Sequence, residues 1–96
     1  MSRRHYLVSY DVADDKRRTR LFNLLQGEGD HVQYSVFFCD CNARECAQLR
    51  AEITGIIHSR EDQVLLLDLG PADAPLDEGL EVFGLPYEPS VRTIVV

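Results

Sequence analysis

The chain has no apolar run near the roughly 18 residues that a membrane-spanning helix needs, so no membrane association is expected. It also lacks a charged-then-apolar leader. MSRRHYLVSYDV passes from its first arginines straight into a strand pattern, which points to the cytoplasm. Cysteine is confined to Cys39, Cys41 and Cys46, an odd number within a short stretch. That fits reduced thiols rather than a disulfide framework. No serine or cysteine triad, P-loop or dinucleotide fingerprint is present. The segment DVADD lacks the glycine and distal glutamate of an EF-hand. Net positive charge is missing too: ten Lys and Arg against sixteen Asp and Glu give a formal net charge of -6. This argues against a nonspecific nucleic-acid coat.

What is present is a folded chain. Hydrophobic residues make up 45% of 96 positions, and the six glycines and four prolines fall between apolar runs. The length suits one compact domain over residues 1–96. HYLVSYDV, residues 5–12, reads as a strand with Tyr6, Val8, Tyr10 and Val12 on one face and Leu7, Ser9 and Asp11 on the other. Asp14 or Asp15 is an N-cap for a helix from about Lys16, with Leu21, Leu24 and Leu25 at core spacing and Gly27 and Gly29 as stop signals. HVQYSVFFCDC, residues 31–41, carries one or two strands with no strong turn inside it, and its apolar run implies burial on both faces. Asn42 and Glu45 have the spacing of a capping box that opens a second helix with Cys46, Leu49, Ile53, Ile56 and Ile57 as its stripe. QVLLLDLG (63–70) reads as a further buried strand, LEVFG (80–84) as a fourth and VRTIVV (91–96) as a fifth. Two helices among these strands give an α/β sandwich, one sheet with both helices on one face. The other face needs cover, and a homodimer packed sheet to sheet, with the C-terminal strand pairing on the partner, supplies it.

Charge is unevenly placed. Residues 1–20 hold six basic and three acidic side chains, while residues 21–96 hold four and thirteen. Lys16, Arg17, Arg18 and Arg20 gather in the first turns of the first helix, where cations work against the macrodipole. Two readings compete: a solvated face tempered by Asp14 and Asp15, or a phosphate site, since helix N–H groups and Arg forks both match phosphate oxygens. Asp11 likewise belongs either to the turn or to a hard-oxygen site for Mg²⁺. One carboxylate holds magnesium poorly, but two copies of Asp11 facing each other in a dimer would suffice. Zinc at Cys39, Cys41 and Cys46 with a histidine matches no CxxC spacing. Tyr34, Phe37 and Phe38 suit a core strand better than a base-stacking platform.

YLVSYDVADDKRRTRLFNLL followed by HVQYSVFFCDCN resembles the CRISPR-associated Cas2 proteins. The likeness runs over roughly residues 5–96 and rests on YDV, a basic first helix turn and QYSVF taken together. It implies a ferredoxin-like α+β sandwich with a mainly antiparallel sheet, and a homodimer in which paired Asp11 residues bind Mg²⁺ with Tyr10 beside them. Arg18 and Arg20 match basic positions tied to nucleic-acid handling, Arg17 is an adjacent candidate, and Ser35 and Phe37 fall in the shared QYSVF segment. The resemblance further implies metal-dependent cleavage of single-stranded RNA or double-stranded DNA in spacer acquisition beside the Cas1 integrase. The alternative is a non-catalytic dimer that spaces integrase dimers on DNA. Two departures stand out: Phe38 where an acidic residue is frequent, and His31 where a basic residue often precedes the segment.

Overall fold

The computed structural model describes residues 2–73 and 79–86. Elements run β1 (Arg4–Asp11), α1 (Asp15–Glu28), β2 (Gly29–Gln33), β3 (Val36–Cys41), α2 (Ala43–Ile56) and β4 (Gln63–Pro71). They form an α+β fold whose four-stranded antiparallel sheet has the order β2-β3-β1-β4, with β1 central between β3 and β4. No helix among the described residues is long and apolar enough to cross a membrane.

Period-2 alternation in β1 turns Tyr6, Val8 and Tyr10 inward, joined by Val12, and all four are buried. Both helices pack on that side. Leu21 and Leu25 of α1 and Leu49 and Ile53 of α2 close over Val8, Tyr10, Phe37 and Cys39 to make the core. Phe37, Leu21, Leu25 and Val8 are fully buried, each stabilising the fold by roughly 1.5–3 kcal/mol.

Local chemistry sets the boundaries. Asp14 caps α1, its side chain accepting from the Arg17 N–H. Asn42 and Glu45 exchange both bonds of the capping box at 3.0 and 2.9 Å, which fixes the start of α2. α1 passes through Gly27 and ends at Glu28, and β2 begins at the next residue with no loop between them. Gly29 permits this because its backbone lies against β3. A Cβ there would run into the Phe38 carbonyl oxygen and sit 2.8 Å from Cys39 Sγ.

Several sequence expectations change. Residues 31–41 split into two strands at Tyr34–Ser35, and Tyr34 adopts a positive φ of 29°. Neither residue is a glycine or asparagine, so the turn carried no strong signal. β3 is buried on one face only, with Phe37, Cys39 and Cys41 inside and Asp40 exposed. β4 is one-sided as well. Leu65, Leu67 and Leu69 are 56, 55 and 41% exposed, because the described chain leaves the β4 side of the sheet face opposite the helices uncovered. Residues 80–84 form no strand; Gly84 sits there at φ 93°. The 91–96 segment expected for strand exchange lies outside the described residues. Cys39, Cys41 and Cys46 are all buried free thiols. Burial, with Cys46 next to it, pushes the Cys41 thiol up to about 11.

Candidate functional site

β1 ends at Asp11, which is exposed and pairs in register with Gln63 of β4. By alternation it shares the uncovered face with Leu7 and Ser9, while Tyr10 points the other way into the core. Asp11 and Tyr10 therefore lie on opposite sides of the sheet and cannot share one small ligand. Register places Val36 and Leu65 beside Ser9, and Phe38 and Leu67 beside Leu7. Asp11 thus stands at the end of an apolar face.

The basic cluster divides by partner. Arg17 turns back from α1 to Asp62, whose side chain is fully buried: Nε donates to Oδ2 at 2.7 Å and Nη2 to Oδ1 at 3.2 Å. Asp62 also accepts from the Ala13 and His58 N–H groups at 3.0 and 2.8 Å. Arg17 beside it, and then these two amides, hold its carboxyl well below the usual range. This carboxylate ties the β1–α1 turn to the loop before β4. Arg18 donates to the Val12 carbonyl at 2.8 Å and to the Asp15 carboxylate. Arg3 pairs with Asp40 and Glu45, and Arg4 with Asp68. Lys16 and Arg20 are exposed and make no ion pair among the described residues. Much of the basic excess of the first twenty residues is therefore spent within the fold.

A cavity of about 360 Å³ opens beside this turn, lined by Tyr10, Arg18, Thr19, Phe22, Tyr34 and Ser35. The Tyr10 N–H donates to the Ser35 carbonyl at 3.1 Å, which closes the β2–β3 turn against the end of β1. His31 Nε2 lies 2.7 Å from the Tyr34 carbonyl oxygen. The His31 ring packs on Phe22 and Phe37 at 5.2 and 4.8 Å. Burial raises the Tyr10 hydroxyl above its ordinary value, only partly offset by the positive charge of Arg18. Tyr10 is thus a proton-bearing donor at neutral pH.

Of the residues singled out by sequence, the structure brings Tyr10, Arg18 and Ser35 together around one cavity. Arg20 stays exposed on α1, Arg17 is engaged by Asp62, and Asp11 occupies the opposite face. Phe37 is fully buried and stacks on Tyr10 at 6.3 Å, so it offers no side-chain surface to a ligand. Tyr34, expected in the core, is instead 94% exposed. Thr19, Phe22 and Asp62 escaped the sequence reading. Asp62 has no local signature, because its partners lie up to 49 residues away. Among the described residues no group of three or more His, Cys, Asp or Glu could hold a metal. Asp11 remains an exposed hard-oxygen donor of the type Mg²⁺ accepts, one per chain.

Comparison with known proteins fits this arrangement. The family profile described as CRISPR associated protein Cas2 matches residues 4–74, from β1 to just beyond β4. CRISPR-associated endoribonuclease Cas2 2 of Thermodesulfovibrio yellowstonii is 40% identical over 87 residues, 81% of this chain and 94% of that protein. CRISPR-associated endonuclease Cas2 2 of Thermus thermophilus is 33% identical over 96 residues, 100% of this chain and 99% of its own. The crystal structure of Streptococcus pyogenes Cas2 superposes with a TM-score of 0.72 at 28% identity, covering 83% of this chain and 99% of that one. With the antiparallel sheet, the strand-end aspartate and the turn at QYSVF all in place, the chain belongs to the CRISPR-associated protein Cas2 family.

Proposed function

We propose that this chain is a metal-dependent endonuclease of CRISPR spacer acquisition, working as a homodimer whose two Asp11 carboxylates meet across the uncovered sheet face. The observation that carries the reading is the placement of Asp11. It is exposed at the end of β1, on the face where Leu65 and Leu67 are more than half exposed. Packing two such faces together buries the leucines and brings the two aspartates to one cleft. The names of the endoribonuclease and endonuclease relatives support phosphodiester cleavage.

In this reading Asp11 from each protomer holds Mg²⁺. When bound, the cation supplies charge neutralisation at the scissile phosphate and lowers the pKa of water. Arg18, fixed by Val12 and Asp15, and the exposed Arg20 hold flanking phosphates. Tyr10 keeps its proton and donates a hydrogen bond toward a ligand in the cavity, with the Ser35 carbonyl fixing its backbone. Arg17 and Phe37 position: the first anchors the turn through Asp62, the second supports the Tyr10 ring. RNA and DNA both present the phosphates this arrangement requires, and the Cas1 integrase is the protein partner.

One observation favours a second reading. Each chain offers a single carboxylate at the strand end, while Lys16 and Arg20 on α1 are exposed and make no ion pair among the described residues, which leaves both for DNA phosphates. That suits an architectural dimer which grips DNA backbone and bridges integrase dimers. Cleavage of labelled single-stranded RNA and double-stranded DNA, with Mg²⁺ or EDTA and beside Asp11→Ala, separates the two. Metal-dependent cleavage lost in the variant is the expected result. No cleavage, or cleavage that Asp11→Ala retains, would leave the architectural role.

A further inference from the structure

We propose that Asp62, held by Arg17, is a positioning residue for the phosphate-holding guanidinium of Arg18, acting through the single peptide unit between Val12 and Ala13. This rests on the phosphate role of Arg18 above and adds the residue that sets the place of its guanidinium.

One peptide plane joins the two side chains. Its carbonyl, on Val12, accepts from Arg18 Nη1 at 2.8 Å, and its N–H, on Ala13, donates to Asp62 Oδ1 at 3.0 Å. In a trans peptide these two groups point in opposite directions, so Arg18 and Asp62 grip the plane from its two sides. Val12 is buried in the core and Asp14 caps α1, which fixes the chain before and after the plane. Rotation of the plane is the freedom left, and a turn that breaks one of the two bonds breaks the other.

Asp62 is built to hold rather than to react. Its side chain is fully buried, and its oxygens accept four N–H bonds, from Ala13 and Arg17 Nη2 on Oδ1 and from His58 and Arg17 Nε on Oδ2. No lone pair is left for a ligand. Arg17 is only 23% exposed and is spent on this carboxylate and its neighbour Glu61. Arg18 differs from it. Its side chain is 44% exposed, it uses one N–H toward Val12 and one toward Asp15, and three of its five donors stay open for a phosphate. A guanidinium already oriented loses little freedom on binding, and here the orienting group is a carbonyl that Asp62 aims. Two arginines adjacent in sequence thus divide the work, one orienting and one binding.

The test is binding of a labelled DNA duplex in EDTA over a series of salt concentrations, which keeps it apart from cleavage. The parent, Asp62→Ala, Arg18→Ala and the double variant form a cycle. Arg18→Ala should weaken binding about tenfold and flatten the salt dependence by about one phosphate contact. Asp62→Ala should weaken it about threefold to tenfold with the same flattening, and should add almost nothing in the Arg18→Ala background. Should the alanine variant not fold, Asp62→Leu with Arg17→Met, an apolar replacement of the kind buried ion pairs tolerate, takes its place in the cycle. Cys46→Ala opens the core beside Tyr6 near the start of β1, away from the turn, and should bind as the parent does. Losses that add, a salt slope unchanged in Asp62→Ala, or an equal loss in Cys46→Ala would overturn the positioning role and leave the phosphate role of Arg18 intact. No loss in Arg18→Ala would overturn both. Binding that follows the cycle without Mg²⁺-dependent cleavage would remove the nuclease reading and leave the positioning of Arg18 standing.

Discussion

If the chain pairs as proposed, replacing both Leu65 and Leu67 with lysine should split that homodimer without unfolding the protomer. The two side chains alternate onto the uncovered face of β4, 56 and 55% exposed, so about half of each is left to bury. A fully buried leucine contributes about 1.5–3 kcal/mol, and the remaining half is therefore worth about 1 kcal/mol. Two-fold symmetry brings four of these leucines into one interface, about 4 kcal/mol together, or about a thousandfold in the dimer dissociation constant. Lysine adds repulsion between like charges on facing strands. Sedimentation velocity over a concentration series should show the parent as a dimer at micromolar concentration and the variant as a monomer, with superimposable circular dichroism. Cleavage should fall with the dimer and recover as protein concentration rises. A parent monomeric at these concentrations, or a variant that dimerises as well as the parent, would refute both the interface and the pairing of Asp11.

Phe37→Ala should destabilise by about 3–5 kcal/mol in urea unfolding, since the ring is fully buried; a loss below about 1 kcal/mol would contradict its core role. Gly29→Ala should lower the melting temperature clearly, because its Cβ meets the backbone of Phe38 rather than a movable side chain. Asp62 has a folded-state pKa held down by Arg17 and two amides, so its stabilisation is present above the ordinary carboxylate range, about pH 4, and is lost as pH falls below it. Melting temperature followed from pH 7 to 3 should therefore fall more steeply in the parent than in Asp62→Asn; parallel curves would mean the carboxylate is not the group responsible. Arg18→Ala with Arg20→Ala should weaken nucleic-acid binding and flatten its dependence on salt, and an unchanged slope would place the phosphate contacts elsewhere.

The elements legible in the sequence were those specified by local chemistry. Alternation around Tyr6, Val8 and Tyr10 and the Asn42–Glu45 capping box need only near neighbours to be recognised, and both stand in the structure. The turn at Tyr34–Ser35 was missed because its residues are not turn formers; it is held from outside, by the Tyr10 N–H and by His31. The run QVLLLDLG read as a buried strand because an apolar strand with one open face has much the same composition as one inside a core. Asp11, Arg18 and Ser35 were singled out by their place in a shared pattern. Asp62 and Phe22 were not, since their importance comes from partners distant in sequence.

The junction at Glu28–Gly29 bears on how this chain can change its length over evolution. Most connections absorb an extra residue in a loop, but here a helix passes into a strand without one. An insertion on the helical side would rotate Arg18 and Phe22 by about 100° relative to the sheet. On the strand side it would exchange the two faces of β2 and turn His31 away from Phe37. Either outcome dismantles the same cavity from one of its walls. Length variation should therefore collect elsewhere, and an insertion scan should show a sharp intolerance at this one peptide bond.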